Sequence, residues 1–180
     1  MDARQRLIDG LREHALVRGE VVLSSGQVAQ YYVDAKRAIL LPGPFAALGE
    51  LVAHRARELG ATAVGGLTMG ADPVACAALA GGFDGKAFFV RKEAKPHGLS
   101  RRIEGPLLDP GDRCLVVEDV VTTGSSTLQA IDALAEAGHA VAGVVCVLDR
   151  LSGGAEAIRA RLDGAPYVAL TTIDDLRAEA

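Results

Sequence analysis

Residues Cys114–Thr127 read CLVVEDVVTTGSST: an apolar run, two adjacent acids, two valines, then hydroxyl side chains around a glycine. The apolar run predicts a central strand over Arg113–Glu118, with Glu118 and Asp119 at its carboxyl end. Thr122, Thr123, Gly124, Ser125 and Ser126 predict a turn into a helix, expected over Ser126–Ala137 and stopped by Gly138. Free backbone N–H groups and hydroxyls would converge there on the positive end of a helix dipole, an environment that suits a phosphate. The stretch has neither the Gly-Lys-Ser/Thr ending of a P-loop nor GxGxxG. Acids beside a phosphate cradle repel the ligand unless they bind its sugar hydroxyls or a bridging cation. A ribose phosphate meets both conditions.

Around this stretch, strands are predicted at Ala63–Leu67, Lys86–Arg91, Ala140–Leu148 and Tyr167–Thr171, and helices at Phe45–Leu59, Pro73–Ala80 and Ala155–Leu162. Asp72-Pro73 is read as a capped helix start. Asp174-Asp175 is placed to cap a last turn. Alternating helices and almost wholly apolar strands predict an α/β fold, an open doubly wound, mainly parallel sheet covered on both faces. Ligands of such sheets bind beyond the carboxyl ends of the strands, so the loops after Leu67, Arg91, Glu118 and Leu148 are expected to share one crevice. Ahead of this core, a helix fits Arg4–Leu16. Short strands and turns fit Glu20–Leu41, broken at Ser24-Ser25-Gly26 and ending at Pro42-Gly43-Pro44. Residues 1–43 thus read as a small hood on a single domain spanning 1–180.

The chain has 180 residues, 49% of them apolar, enough for one well-buried core but short for two. Its longest apolar run, Ala140–Leu148, falls well short of the roughly 18 residues that cross a bilayer. The first residues are charged throughout, without a signal-peptide core, which predicts a cytoplasmic protein with no membrane partner. Cys76, Cys114 and Cys146 show no CxxC spacing and are expected to be buried, reduced thiols. The four His form no HExxH pair, and no metal site built by the protein itself is expected. A net charge of -4 argues against nucleic acid as a partner. Against that average, Arg91–Arg102, RKEAKPHGLSRR, sets five Lys or Arg against one Glu. Such a basic loop suits an anionic small molecule.

VVEDVVTTGSS resembles the phosphoribosyl-diphosphate signature of the type I phosphoribosyltransferases position by position. The resemblance implies that Glu118 and Asp119 meet the ribose hydroxyls of 5-phospho-α-D-ribosyl 1-diphosphate (PRPP). Val120, Val121 and the loop Thr122–Ser126 would then surround its 5′-phosphate. RKEAKPHG, Arg91–Gly98, resembles the mobile loop of orotate phosphoribosyltransferases, Arg-Lys-x-x-Lys-x-His-Gly. By that likeness Arg91, Lys92, Lys95 and His97 are the catalytic clamps on the departing diphosphate, with Pro96 and Gly98 allowing closure. Arg150, in VLDR, matches the arginine that binds orotate, and Thr122 joins it there. Tyr31 and Tyr32 match an aromatic pair lying over the base. GLTMGADPVA, Gly66–Ala75, resembles the short diphosphate loop, although Met69 and Ser24 stand where many members carry Lys.

Taken together, these likenesses imply Mg²⁺-dependent transfer of a phosphoribosyl group from PRPP to orotate, with Mg²⁺ held mainly by PRPP and water. They also imply a homodimer in which loop 91–102 acts in the neighbouring site. Two alternatives stay open: transfer to another nucleobase, and a regulatory protein that senses PRPP on the same fold. Arg150 and the basic loop weigh against the first. The intact loop and the lack of a separate nucleic-acid module weigh against the second.

Overall fold

A computed structural model describes residues 2–22, 28–93 and 102–177, with residues 18–22 and 28–31 described by their backbone alone. The chain opens with α1 (Ala3–Gly10), capped by the Asp2 carboxylate, and continues as a π-helical turn over Leu11–Ala15. An antiparallel hairpin follows, β1 (Leu16–Val22) against β2 (Val28–Val33). The short α2 (Lys36–Ile39) and the long α3 (Pro42–Glu58) lead into the main sheet. There the chain runs β3 (Ala63–Leu67), α4 (Ala71–Ala80), β4 (Lys86–Val90) and β5 (Ile103–Glu104). It ends with β6 (Arg113–Val121), α5 (Ser125–Glu136), β7 (Ala140–Asp149), α6 (Gly154–Arg161), β8 (Tyr167–Thr172) and α7 (Ile173–Arg177).

The main sheet has the order β5-β4-β3-β6-β7-β8, with β5 alone antiparallel to its neighbour. Successive residues of β6 face opposite layers, as a pleated strand requires. Leu115 and Val117 enter a core with Leu7, Leu48, Val52 and Val74, whereas Cys114 and Val116 enter a second core with Ile131, Leu134 and Ile158. This two-sided burial is why the central strands are apolar at every position. The helices of the N-terminal segment share the first core with α3 and α4, through Leu11, Ala38 and Ile39.

The connection from β3 to β4 moves one way along the sheet, and the next parallel strand, β6, lies on the other side of β3. The order therefore reverses between β3 and β6, which opens a crevice above their carboxyl ends. Loops after β3, β4, β6 and β7 leave from that same edge, as expected.

Several boundaries differ from the sequence expectation. The Arg4–Leu16 helix ends at Ala15 and turns π-helical from Leu11, and β1 begins at Leu16. The break at Ser24-Ser25-Gly26 lies outside the described residues. β6 continues through Val121, because Val120 and Val121 pair with Leu148 and Asp149 of β7. Asp72-Pro73 does not start α4: the helix begins at Ala71 behind Gly70, with no side-chain cap. β5, not anticipated, forms where the Arg91 N–H donates to the Arg102 carbonyl at 2.8 Å and closes the base of the basic loop. Cys114 and Cys146 are buried, but Cys76 is exposed on α4; all three are free thiols.

Candidate functional site

The two acids of β6 are neighbours in sequence but face opposite layers. Glu118 points towards α5, where Thr127 Oγ1 donates to its Oε2 at 3.4 Å, and its Oε1 accepts the Asp119 N–H at 3.3 Å. Asp119 points the other way: its Oδ1 accepts the Val120 N–H at 2.8 Å, and its Oδ2 lies 2.9 Å from Lys36 Nζ. Both side chains are buried, Glu118 at 4% and Asp119 at 7% exposure. Burial, followed by the adjacent Asp119 charge, pushes the Glu118 carboxyl above the usual carboxylate range. A proton on this pair is therefore favoured at Glu118.

The cation beside Asp119, Lys36, was not among the expected site residues. It stands on α2 and bridges Asp119 to Asp34, whose Oδ1 is 3.1 Å from its Nζ. Burial alone would lower its pKa, but the hydrogen bonds and charges of Asp119 and Asp34 outweigh this and raise it. Lys36 is therefore charged whenever the protein is folded near neutral pH.

Across the crevice, the turn after β3 comes up against the same carboxylate. A Cβ at Gly70 would collide with Asp119, so only a glycine permits this approach. The turn contains a cis Thr68–Met69 peptide, and the Thr68 N–H donates to the Val90 carbonyl at 2.8 Å. Thr68 Oγ1 donates to Asp72 Oδ2 at 2.6 Å, while the buried Asp72 Oδ1 has no hydrogen-bond partner among the described residues. Met69 is 71% exposed, so its apolar side chain covers no core.

Beyond β6, the backbone turns through Gly124, whose φ of 80° favours glycine. α5 then starts at Ser125, with no side chain capping its N-terminus. Thr123, Ser125 and Ser126 are exposed, and Thr122 is half-buried. First-turn N–H groups without a side-chain cap, with these hydroxyls beside them, are an arrangement that can receive an anion. Val120 and Val121 belong to the strand, so any contact they make with a ligand is through backbone or through their position below the turn.

Arg150 follows β7 directly, and its N–H donates to the Val121 carbonyl at 2.9 Å, which puts it beside the Thr122–Ser126 turn. Asp149 accepts from the Leu151 N–H at 2.8 Å and from the Tyr167 hydroxyl at 2.9 Å. Tyr167 also lies 3.2 Å from Cys146 Sγ, and its ring carries the Arg159 guanidinium 4.9 Å from its centroid. Burial first, and then Cys146 and Asp149, raise the Tyr167 phenol well above its ordinary pKa, so it stays a donor. Burial likewise pushes the Cys146 thiol up to about 12. This buried chain anchors the segment that carries Arg150, and the sequence offered no periodic signal for it.

The remaining expected residues are less gathered. Arg91 stays at the base of the basic loop, its Nη1 3.5 Å from Glu104 Oε1, and Lys92 is exposed beside it. Lys95 and His97 lie outside the described residues. Tyr32 is 40% exposed on β2, and the Tyr31 side chain lies outside the described part. Among the described residues, no group of three or more His, Cys, Asp or Glu gathers to hold a metal. The exposed hydroxyls of Thr123, Ser125 and Ser126 nevertheless offer oxygen atoms that suit the water shell of a Mg²⁺ ion arriving with a phosphorylated ligand.

Comparison with known proteins places this geometry in context. Residues 46–160 match the family model described as a phosphoribosyl transferase domain. The chain is 50% identical to the orotate phosphoribosyltransferase of Corynebacterium glutamicum over 177 residues, covering 98% of this chain and 95% of that one. Its backbone is similar to the Mycobacterium tuberculosis orotate phosphoribosyltransferase solved with Fe(III) dicitrate, at a TM-score of 0.88 and 44% identity, covering 98% and 99% of the two chains. The same mycobacterial enzyme, solved with PRPP, is similar at a TM-score of 0.84 and 41% identity, covering 98% and 99%.

Proposed function

The chain belongs to the orotate phosphoribosyltransferases, enzymes of pyrimidine biosynthesis, and on that footing we propose how its own residues carry the reaction. In this reading the enzyme transfers a phosphoribosyl group from PRPP to N1 of orotate. The bond between C1 of the ribose and the diphosphate oxygen breaks, the diphosphate leaves with the electron pair, and a C1–N1 bond forms as N1 gives up its proton. The products are orotidine 5′-monophosphate and diphosphate, and the step is reversible.

One observation carries the reading. The acid pair stands where the strand order reverses, with an uncapped helix N-terminus just beyond it and the Gly70 turn against Asp119. The uncapped turn Thr122–Ser126 holds the 5′-phosphate through N–H groups and hydroxyls. Asp119, with two of its acceptor sites taken by Lys36 and the Val120 N–H, keeps others for ribose hydroxyls. The turn Thr68–Gly70 receives the diphosphate. Arg150 offers a planar fork to the orotate carboxylate, a pairing that suits guanidinium better than ammonium. Tyr32 lies on the hairpin as one wall for the base.

When bound with PRPP, Mg²⁺ supplies neutralisation of the leaving diphosphate. Arg91, Lys92, Lys95 and His97 complete the clamp in this proposal, and a charge that grows on the leaving group is stabilised more in the transition state than before it. No covalent nucleophile is needed. The protein acts as a homodimer in the cytoplasm, with loop 91–102 serving the neighbouring site. Mixing Lys95→Ala with Asp119→Ala protein tests this, because a reassorted dimer regains activity only when the loop acts in trans.

The direct test offers PRPP and Mg²⁺ with orotate, uracil or hypoxanthine in parallel. Consumption of orotate alone, abolished by EDTA and restored by Mg²⁺, is the expected result. Turnover with uracil or hypoxanthine but not with orotate overturns the base assignment.

A further inference from the structure

We propose that Lys36 is a positioning residue for the ribosyl donor, holding the Asp119 carboxylate fixed and aimed at the ribose hydroxyls from the short helix α2. The proposal rests on the reading of Asp119 as a ribose ligand. Its geometry is independent of that reading: Lys36 Nζ is 2.9 Å from Asp119 Oδ2 and 3.1 Å from Asp34 Oδ1. Asp34 is itself fixed, since its Oδ1 accepts the Lys36 N–H at 3.2 Å and its N–H donates to the Ala15 carbonyl at 3.0 Å. The hairpin and α2 are thereby tied to the central strand through one ammonium group, between residues far apart in sequence.

The charges around Asp119 explain why such a tie matters. Glu118 precedes it on the same strand, Asp34 lies beyond Lys36, and the Cys146 thiol lies on β7. Asp72, in the first turn of α4, is engaged by Thr68 beside the Gly70 turn. Among these, Lys36 is the cation in contact with Asp119. Two adjacent buried carboxylates share a proton readily, and a protonated Asp119 would offer a ribose hydroxyl fewer acceptor sites. Burial already raises the Glu118 carboxyl, and a cation on Asp119 Oδ2 keeps a shared proton on Glu118. It also fixes the plane of the carboxylate, which Val120 N–H holds at the other oxygen.

The test uses the full-length protein with Lys36→Met, Lys36→Gln and Lys36→Arg, and records kcat and kcat/KM for PRPP against pH. Removing the positive charge raises the apparent pKa of the acid pair, so the acidic limb of kcat/KM moves to higher pH. The expected shift is at least half a pH unit in both Met and Gln variants, with KM for PRPP raised tenfold or more. Lys36→Arg restores the wild-type limb. Thermal melting monitors folding; should Lys36→Met not fold, the Gln and Arg pair carries the same comparison. A limb unmoved in Lys36→Gln, with KM for PRPP within twofold of wild type, overturns the proposal. So does a shift that Lys36→Arg fails to reverse. Asp119→Ala in parallel separates the two ideas: unaltered PRPP kinetics there sinks the ribose-ligand reading itself. Lost PRPP binding there, with wild-type behaviour in the Lys36 variants, sinks this proposal alone.

Discussion

The carboxylate of Asp119 lies so close to Gly70 that a Cβ built on that glycine would stand 2.8 Å from Asp119 Cγ. The turn after β3 and the strand β6 thus meet at one carboxylate. Gly70→Ala should displace Asp119 and raise KM for PRPP about tenfold, equivalent to about 1.4 kcal/mol. Initial rates against PRPP concentration check this, and unchanged kinetics would mean that the turn yields without disturbing the site.

The uncapped start of α5 separates a binding role from a folding role. An acid in the first turn of a helix favours folding by about 0.3–1 kcal/mol, whereas an acid beside a bound phosphate repels it. Ser126→Asp should therefore leave the melting temperature unchanged or raised while PRPP affinity falls at least tenfold. Loss of both together would point to a structural role alone.

Tyr167 supports Arg150 at a distance through Asp149, whose Oδ2 it meets at 2.9 Å. Tyr167→Phe leaves that buried acceptor with one partner fewer, at a cost of about 1–3 kcal/mol in stability. KM for orotate should rise severalfold while KM for PRPP stays near wild type. Equal changes in both would show that the buried chain supports the whole sheet end and not the segment after β7 in particular.

Acid sensitivity should have an identifiable source at the opposite edge of the sheet. Asp112 accepts from Lys86 Nζ at 2.7 Å and from Thr62 Oγ1 at 2.7 Å. The Lys86 hydrogen bond first, then that of Thr62, lower its carboxyl from 3.8 to about 2. A carboxyl more acidic in the folded than the unfolded chain contributes stability above its unfolded pKa, and loses it as pH falls through the folded value. Melting temperature should thus drop between pH 4 and pH 2, and Lys86→Met should flatten that drop. A profile identical in the two proteins would assign the acid sensitivity elsewhere.

The central strands were legible because both faces of the sheet are covered, so VAGVVCVL and CLVV carry apolar residues at every position. The helices between them were legible from Gly stops and from one-sided apolar spacing. The π-helical turn was not, because Leu7, Leu11 and Ala15 are four residues apart and suit an α-helix equally. β5 has two residues and forms through a backbone contact between Arg91 and Arg102, which no side-chain pattern records. Cys76 sits in a helix of small residues, ADPVACAALA, where neither face stands out as the buried one. The turn between β6 and α5 was readable since its residues are contiguous. Lys36 was not, because its partner Asp119 lies 83 positions away and no local period encodes such a meeting.

The most direct measurement follows orotate consumption and diphosphate release together in wild-type and Asp119→Ala protein, with PRPP and Mg²⁺ in excess. The account predicts one diphosphate for each orotate consumed by the wild type, and loss of turnover in a variant whose melting temperature shows it folded. Equal turnover in both proteins, or none by the wild type on orotate, would contradict it.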